Sequence, residues 1–179
     1  KTGKEISVEW YQQADDFYDV FARVNKDGMA FFIDHTGKPL STEKYSWAGR
    51  FDRGVAMVRK NKKIIIIDKT GKEITPEGHL EGGGTGFSEG FARVEKDGKW
   101  FFIDKTGKDV FKKRFTSTLD FSDGVVVVRD DKGWFLIDKN GNELFKDRFE
   151  TLNPPEEGLF SVLDGGNFFW IDRKGRRIF

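Results

Sequence analysis

The sequence predicts an all-β fold assembled from five repeats of about 34 residues, and three recurring features predict it. The dipeptide Ile-Asp stands at Ile33-Asp34, Ile67-Asp68, Ile103-Asp104, Ile137-Asp138 and Ile171-Asp172, so successive Asp residues lie 34, 36, 34 and 34 apart. Three residues after each Asp comes a Gly: Gly37, Gly71, Gly107, Gly141 and Gly175, with Gly3 continuing the series upstream. Phe17, Phe51, Phe87 and Phe121 recur in the same phase, as do Gly54, Gly90, Gly124 and Gly158. Independent anchors sharing one phase and one two-residue insertion define an array in which each unit is a single supersecondary element.

Each unit reads as a three-stranded meander. The first strand is Phe91 to Val94, matched by Phe21 to Val24, Val55 to Val58 and Val125 to Val128. A turn such as Lys96-Asp97-Gly98 leads to the second strand, Trp100 to Ile103, matched by Ala30 to Ile33, Ile64 to Ile67, Trp134 to Ile137 and Phe168 to Ile171. The turn Asp104-Lys105-Thr106-Gly107 follows. Its Asp side chain can accept a backbone N–H two residues on, and its Gly suits a positive φ. The third strand, Lys108 to Phe115, is more polar. Aromatic and β-branched residues fill the strands, and no stretch has helical periodicity.

Alternation along the second strand sends Trp100 and Phe102 to one face and Phe101 and Ile103 to the other. Both faces are apolar, whereas a sheet facing water on one side would alternate apolar with polar. Each small sheet is therefore expected to be covered on both faces by neighbouring repeats. The charged third strands (Lys112, Lys113, Arg114; Lys146, Asp147, Arg148) belong at the outer edge, where charge blunts pairing with other chains. Face-to-face stacking predicts an open spiral, with a closed five-bladed propeller-like ring as the alternative. The segment Lys4 to Tyr11 is an orphan third strand available to the last unit. Residues 1–179 read as a single β-repeat domain with units ending near Asp34, Asp68, Asp104, Asp138 and Asp172.

Bulk composition narrows the function classes. Charged residues make up 34% of the chain, but 31 Lys+Arg nearly cancel 30 Asp+Glu. A balance of +1 provides no global field for nucleic acid. The absence of Cys excludes a disulfide scaffold, a thiolate metal site and a Cys nucleophile. The longest apolar runs, Ile64 to Ile67 and Val125 to Val128, fall far short of the roughly 18 residues a membrane helix needs. The chain opens at Lys1 rather than Met, as expected of a fragment or a processed form, and assigns no compartment.

Several local motifs match known chemistry only in part. Gly86-Phe87-Ser88-Glu89-Gly90 fits a nucleophile elbow, but that motif needs a strand before it and a helix after it. The in-phase stretch Phe121-Ser122-Asp123-Gly124 marks Ser88 as a repeat turn residue instead. Asp138-Lys139-Asn140-Gly141-Asn142-Glu143 resembles the start of a calcium loop, but lacks its Gly and its distal Glu, so the five repeated Asp read as turn caps. Lys60 to Lys63, Lys112 to Arg114 and Arg173 to Arg177 read as solvated edges. Gly82-Gly83-Gly84-Thr85-Gly86 is followed by no Gly-Lys-Ser/Thr and is not a P-loop. His35 lies in a turn. His79 stands where Tyr11, Tyr45, Phe115 and Phe149 recur, beside the two-residue insertion, and breaks in a regular array map to loops that carry function. A second break is Asn153-Pro154-Pro155.

The run Phe87-Ser88-Glu89-Gly90-Phe91-Ala92-Arg93-Val94, then Gly98-Lys99-Trp100, then Phe102-Ile103-Asp104-Lys105-Thr106-Gly107-Lys108 resembles the bacterial WG-repeat (KWG) family. Lys44-Tyr45-Ser46-Trp47-Ala48-Gly49-Arg50-Phe51 is similar to that family's link between units. The family's Trp-Gly pair keeps its Trp only at Trp100 and Trp134, and its Gly is replaced by Phe101 and Phe135, with Phe31, Ile65 and Phe169 in the other units. The resemblance implies a binding or scaffolding role and no reaction.

The expected function is a non-enzymatic protein- or peptide-binding module, of which a toxin-neutralising immunity protein is one form. Candidate contacts are the loop residues that differ between repeats: Tyr18, Trp47, Arg50, His79, Leu80 and Asn153. A protein or peptide partner, a monomeric chain, no nucleic acid, no membrane insertion, no metal and no cofactor complete this expectation. The alternative is a carbohydrate- or cell-wall-binding module with solvent-facing aromatics such as Tyr45 and Trp47. An enzyme using Asp15-Asp16 as acid and base is the third reading.

Overall fold

The computed structural model describes residues 9–75, 82–83 and 86–178. Among these there is no helix, and the strands form five three-stranded antiparallel sheets. Sheet 1 holds β1 (Gln13–Ala14), β2 (Phe21–Lys26) and β3 (Met29–Asp34). Sheet 2 holds β4 (Trp47–Ala48), β5 (Val55–Lys60) and β6 (Lys63–Asp68). Sheet 3 holds β7 (Gly82–Gly83), β8 (Phe91–Lys96) and β9 (Lys99–Asp104). Sheet 4 holds β10 (Ser117–Thr118), β11 (Val125–Arg129) and β12 (Trp134–Asp138), and sheet 5 holds β13 (Thr151–Leu152), β14 (Phe160–Asp164) and β15 (Asn167–Ile171). The described residues fall into two compact units, one within 1–87 plus 105–107 and the other within 88–104 plus 108–179.

The five Ile-Asp turns behave as the repeat predicts. Asp34 Oδ1 accepts the N–H groups of Thr36 (2.8 Å) and Lys38 (3.1 Å). Asp68 does the same for Thr70 and Lys72, Asp138 for Asn140 and Asn142, and Asp172 for Lys174 and Arg176. Hydrogen bonds from the Thr36 side chain and N–H hold the Asp34 carboxyl below its ordinary range, and Thr70 does so for Asp68. Gly141 shows why Gly closes these turns. Its φ is +79°, and a Cβ there would meet the Phe111 ring at 2.8 Å.

The third strand differs from expectation. The sheet's third member is the two-residue link strand, which pairs ahead of the first long strand: Ser117↔Arg129 and Thr118↔Val128 in sheet 4. The stretch from Lys108 to Phe115 instead touches β9 through single bridges at its ends, Ile103↔Asp109 and Trp100↔Phe115. Between them the chain bows out, because the Asp109 carboxylate takes the Lys112 N–H at 2.9 Å and Lys112 adopts φ +53°. That local turn is incompatible with a continuous ladder. Of the orphan segment, Lys4 to Val8 lies outside the described residues, and Glu9 to Tyr11 joins no strand.

Both-face burial is clear in each unit. In the first, Ala30 and Phe32 of sheet 1 pack with Phe51, Ala56, Val58 and Ile67. The opposite face of sheet 1 carries Val24, Phe31 and Ile33, also buried. In the second, Phe102 of β9 packs on Val126, Val128, Phe135 and Ile137, while the other face of sheet 4 (Val125, Val127, Leu136) packs on Phe160, Val162 and Ile171 of sheet 5. Sheet 5 is less covered, for Phe168 is 77% exposed.

Candidate functional site

The link strands hold side chains that differ between repeats. Equivalent positions carry Gln13, Trp47, Ser117 and Thr151, each paired to the next long strand in the same register. Within the first unit the links bring three of the predicted contacts to one pair of sheets. The Arg50 guanidinium lies 4.6 Å from the centroid of the Tyr18 ring, which is 38% exposed. Trp47, half-buried, lines a cavity of about 440 Å³ between sheets 1 and 2, together with Gln12, Gln13, Arg23, Asn25 and Ala30.

Arg23 and Arg93 occupy equivalent positions, each paired across the hairpin with a Phe of the second strand: Arg23↔Phe32 and Arg93↔Phe102. Their guanidinium groups are anchored alike at one end. Arg23 Nη1 donates to the Ala48 carbonyl at 2.6 Å, and Arg93 Nη1 donates to the Thr118 carbonyl at 2.6 Å. Two residues past those carbonyls the chain places Arg50 and Asp120. Arg93 Nε therefore has a partner in Asp120 at 2.9 Å, whereas Arg23 Nε is buried without a partner among the described residues. Arg23 turns its Nη2 to Asp15 instead, at 2.7 Å.

The other predicted residues do not join this cluster. Asn153 is exposed in the second unit, where its Nδ2 donates to Ser161 Oγ at 2.9 Å. His79 and Leu80 lie outside the described residues. Tyr45 corrects an expectation: it is 2% exposed and packed among Phe32, Phe51 and Val58, so it offers no platform to a sugar. Bridging Ala30 through its backbone draws its ring into the core. His35 stacks on Phe17 with centroids 4.0 Å apart. Ser88 Oγ donates to the Phe121 carbonyl at 2.7 Å, as befits a turn residue. Sequence reasoning passed over Ala30, Arg23 and Asn25. The signal was available in the repeat register, where Ala30 stands against Trp100 and Trp134.

A family model of WG-containing repeats matches residues 31–63, 85–100, 100–134 and 134–168, which is most of the chain. The chain belongs to the WG-containing-repeat family. No curated protein matches it. Among solved structures it is similar to Hsv2 of Kluyveromyces lactis, with a TM-score of 0.53 at 10% identity, over 89% of this chain and 59% of that one. A form of that protein with loop 6CD replaced by a Gly-Ser linker gives a TM-score of 0.54 at 10% identity, over 88% and 61%. The chain thus spans about three-fifths of the length of these structures, and at such identity the likeness concerns the fold alone.

The position after Trp100 and Trp134, and its equivalents in the other units, holds a ring in four of the five units (Phe31, Phe101, Phe135 and Phe169) and Ile65 in the remaining one, and each ring has a cation near its face, with Arg177 4.5 Å from the Phe169 centroid. Arg114 lies 4.2 Å from the Phe101 centroid, Arg148 3.6 Å from Phe135, and Lys44 5.7 Å from Phe31. These three cations each precede the aromatic that bridges back to the second strand (Tyr45, Phe115, Phe149). Where this position holds a ring, a cation–π contact covers its face. Among the described residues no helix is long and apolar enough to cross a membrane.

Proposed function

We propose that this WG-repeat chain is a non-enzymatic, monomeric module that binds a protein or peptide partner through the links of its first unit. One observation carries the reading: the array departs from its own pattern at Tyr18, Trp47 and Arg50, where the equivalent positions carry Asp52, Ser88, Ser122 and Glu156 for Tyr18, Gln13, Ser117 and Thr151 for Trp47, and Asp16 and Asp120 for Arg50, while Phe32 and Phe51 beneath them stay buried. Stacked repeats present extended surfaces on which such departures can meet a partner. The titratable side chains support this reading over an enzymatic one. Asp15, half of the candidate acid–base pair, is committed to Arg23, and the Asp138 carboxylate to its own turn.

Neutralisation of a toxin by capture is the form of this function that a small mixed-charge chain suits best. The test is capture by the immobilised intact chain, in parallel with a Tyr18→Ala/Arg50→Ala variant. A protein retained by the first and lost from the second is the expected result. Retention of glycan or peptidoglycan instead would replace this reading with the carbohydrate one, which the burial of Tyr45 already weakens.

A further inference from the structure

The cavity between sheets 1 and 2 opens over Ala30, at a repeat position that holds Trp100 in sheet 3, Trp134 in sheet 4, Ile64 in sheet 2 and Phe168 in sheet 5. In sheet 3 the cross-strand pair next to Arg93 is Glu95↔Trp100, and in sheet 4 the equivalent pair is Arg129↔Trp134. The Arg93 guanidinium lies 5.3 Å from the Trp100 ring, and Arg129 lies 5.9 Å from the Trp134 ring. In sheet 1 the same pair is Asn25↔Ala30. The indole is missing, and the space between Arg23, Asn25, Ala30 and the link strand of sheet 2 is open, to about 440 Å³. That volume falls in the range of small-ligand sites, roughly 300–1,000 Å³. The opening is not collapsed, because Ala30, Ala48 and Phe32 are held in the core beneath it.

We propose that this cavity accepts an aromatic side chain, tryptophan above all, from the peptide partner assigned to this face, and so rests on that functional reading. Its lining supplies what an indole needs. Arg23 presents a guanidinium at the position from which Arg93 covers Trp100. Trp47, on the link strand opposite, adds a ring edge or face for contact. Asn25 Nδ2 donates to Gln13 Oε1 at 3.0 Å, which leaves the Asn25 oxygen as acceptor for an indole N–H. A phenyl ring would stack but leave that oxygen unused, so tryptophan binds in preference to phenylalanine.

The probe is the capped peptide acetyl-Gly-Trp-Gly-amide, titrated into isotopically labelled intact chain, with the Phe and Ala peptides and a chito-oligosaccharide in parallel. The expected result is saturable movement of the Asn25 and Gln13 side-chain amide signals with the Trp peptide, weaker with Phe and absent with Ala. Ala30→Trp refills the cavity with the chain's own indole and is expected to weaken the Trp peptide at least ~10-fold without lowering the melting temperature. Asn25→Ala, which keeps the space open, is expected to erase the preference for Trp over Phe. The inference is overturned if the Trp peptide moves no signals, if Ala30→Trp binds it as well as the parent, or if only the oligosaccharide saturates. A protein partner captured equally by the parent and Ala30→Trp would leave the binding-module reading intact and remove the cavity from it.

Discussion

The interface between sheets 1 and 2 and that between β8–β9 and sheet 4 share a backbone plan but differ in how they are filled. In the second, Phe102 is buried against Phe115, Phe121 and Val128, Trp100 occupies the rim under Arg93, and Asp120 pairs with Arg93 Nε. In the first, Phe32 is buried equally well, but Ala30 leaves the rim open, and Arg50 in place of Asp120 leaves Arg23 Nε unpaired. The core of each interface sets the fold, while the rim is free to change, because rim residues contribute less burial and their loss leaves the Phe layer intact. The same repeat therefore forms a closed joint in one unit and leaves an open cavity in the other.

The largest expected effect separates core from rim. Phe102→Ala should cost about 3–5 kcal/mol in urea unfolding, whereas Trp170→Ala, at the equivalent position of the less covered sheet 5, should cost about 1–2 kcal/mol. Equal losses would break the distinction. Next, Trp100→Ala should reproduce the open rim of sheet 1 at a cost of about 2–3 kcal/mol, less than a fully buried Trp because its ring is half-buried. Smaller again, Asp120→Ala should cost about 1 kcal/mol by stranding Arg93 Nε, and the reciprocal Arg50→Asp should recover about as much by supplying Arg23 with a partner, measured as a shift in the urea midpoint.

The smallest effect is the acid response of the turns. Asp34 and Asp68 have lowered folded-state pKa values, so their contribution is fully present above the unfolded-state value of about 3.9 and is lost as pH falls through the folded values. Thermal unfolding followed from pH 6 down to pH 2 should show a decline beginning near pH 4, shallower in an Asp34→Asn/Asp68→Asn variant.

Much of this architecture is legible in the amino-acid order. The Ile-Asp turns, the two long strands of each repeat and their two apolar faces follow from local rules, since strand alternation and turn chemistry depend on residues only a few positions apart. The third strand was misplaced because the Lys108 to Phe115 stretch has strand-like composition, yet Asp109 captures the Lys112 N–H and bends it away. Of the candidate contacts, Tyr18, Trp47 and Arg50 were recognisable as departures from the repeat, but their grouping around one pair of sheets was not. The carbohydrate alternative expects a solvent-facing Tyr45, but its backbone bridge to Ala30 turns the ring inward, a contact that residues next to it in sequence do not reveal.

By itself, the sequence determined that this chain is a tandem array of short antiparallel meanders, because period, turn residues and two-faced apolarity are properties of a repeat read against itself. Only the tertiary structure decided which equivalent positions are filled and which stand open. That outcome depends on residues some 25 positions apart, Arg23 with Ala48 and Arg93 with Thr118, meeting across stacked sheets, where one missing indole becomes a cavity rather than a mere substitution.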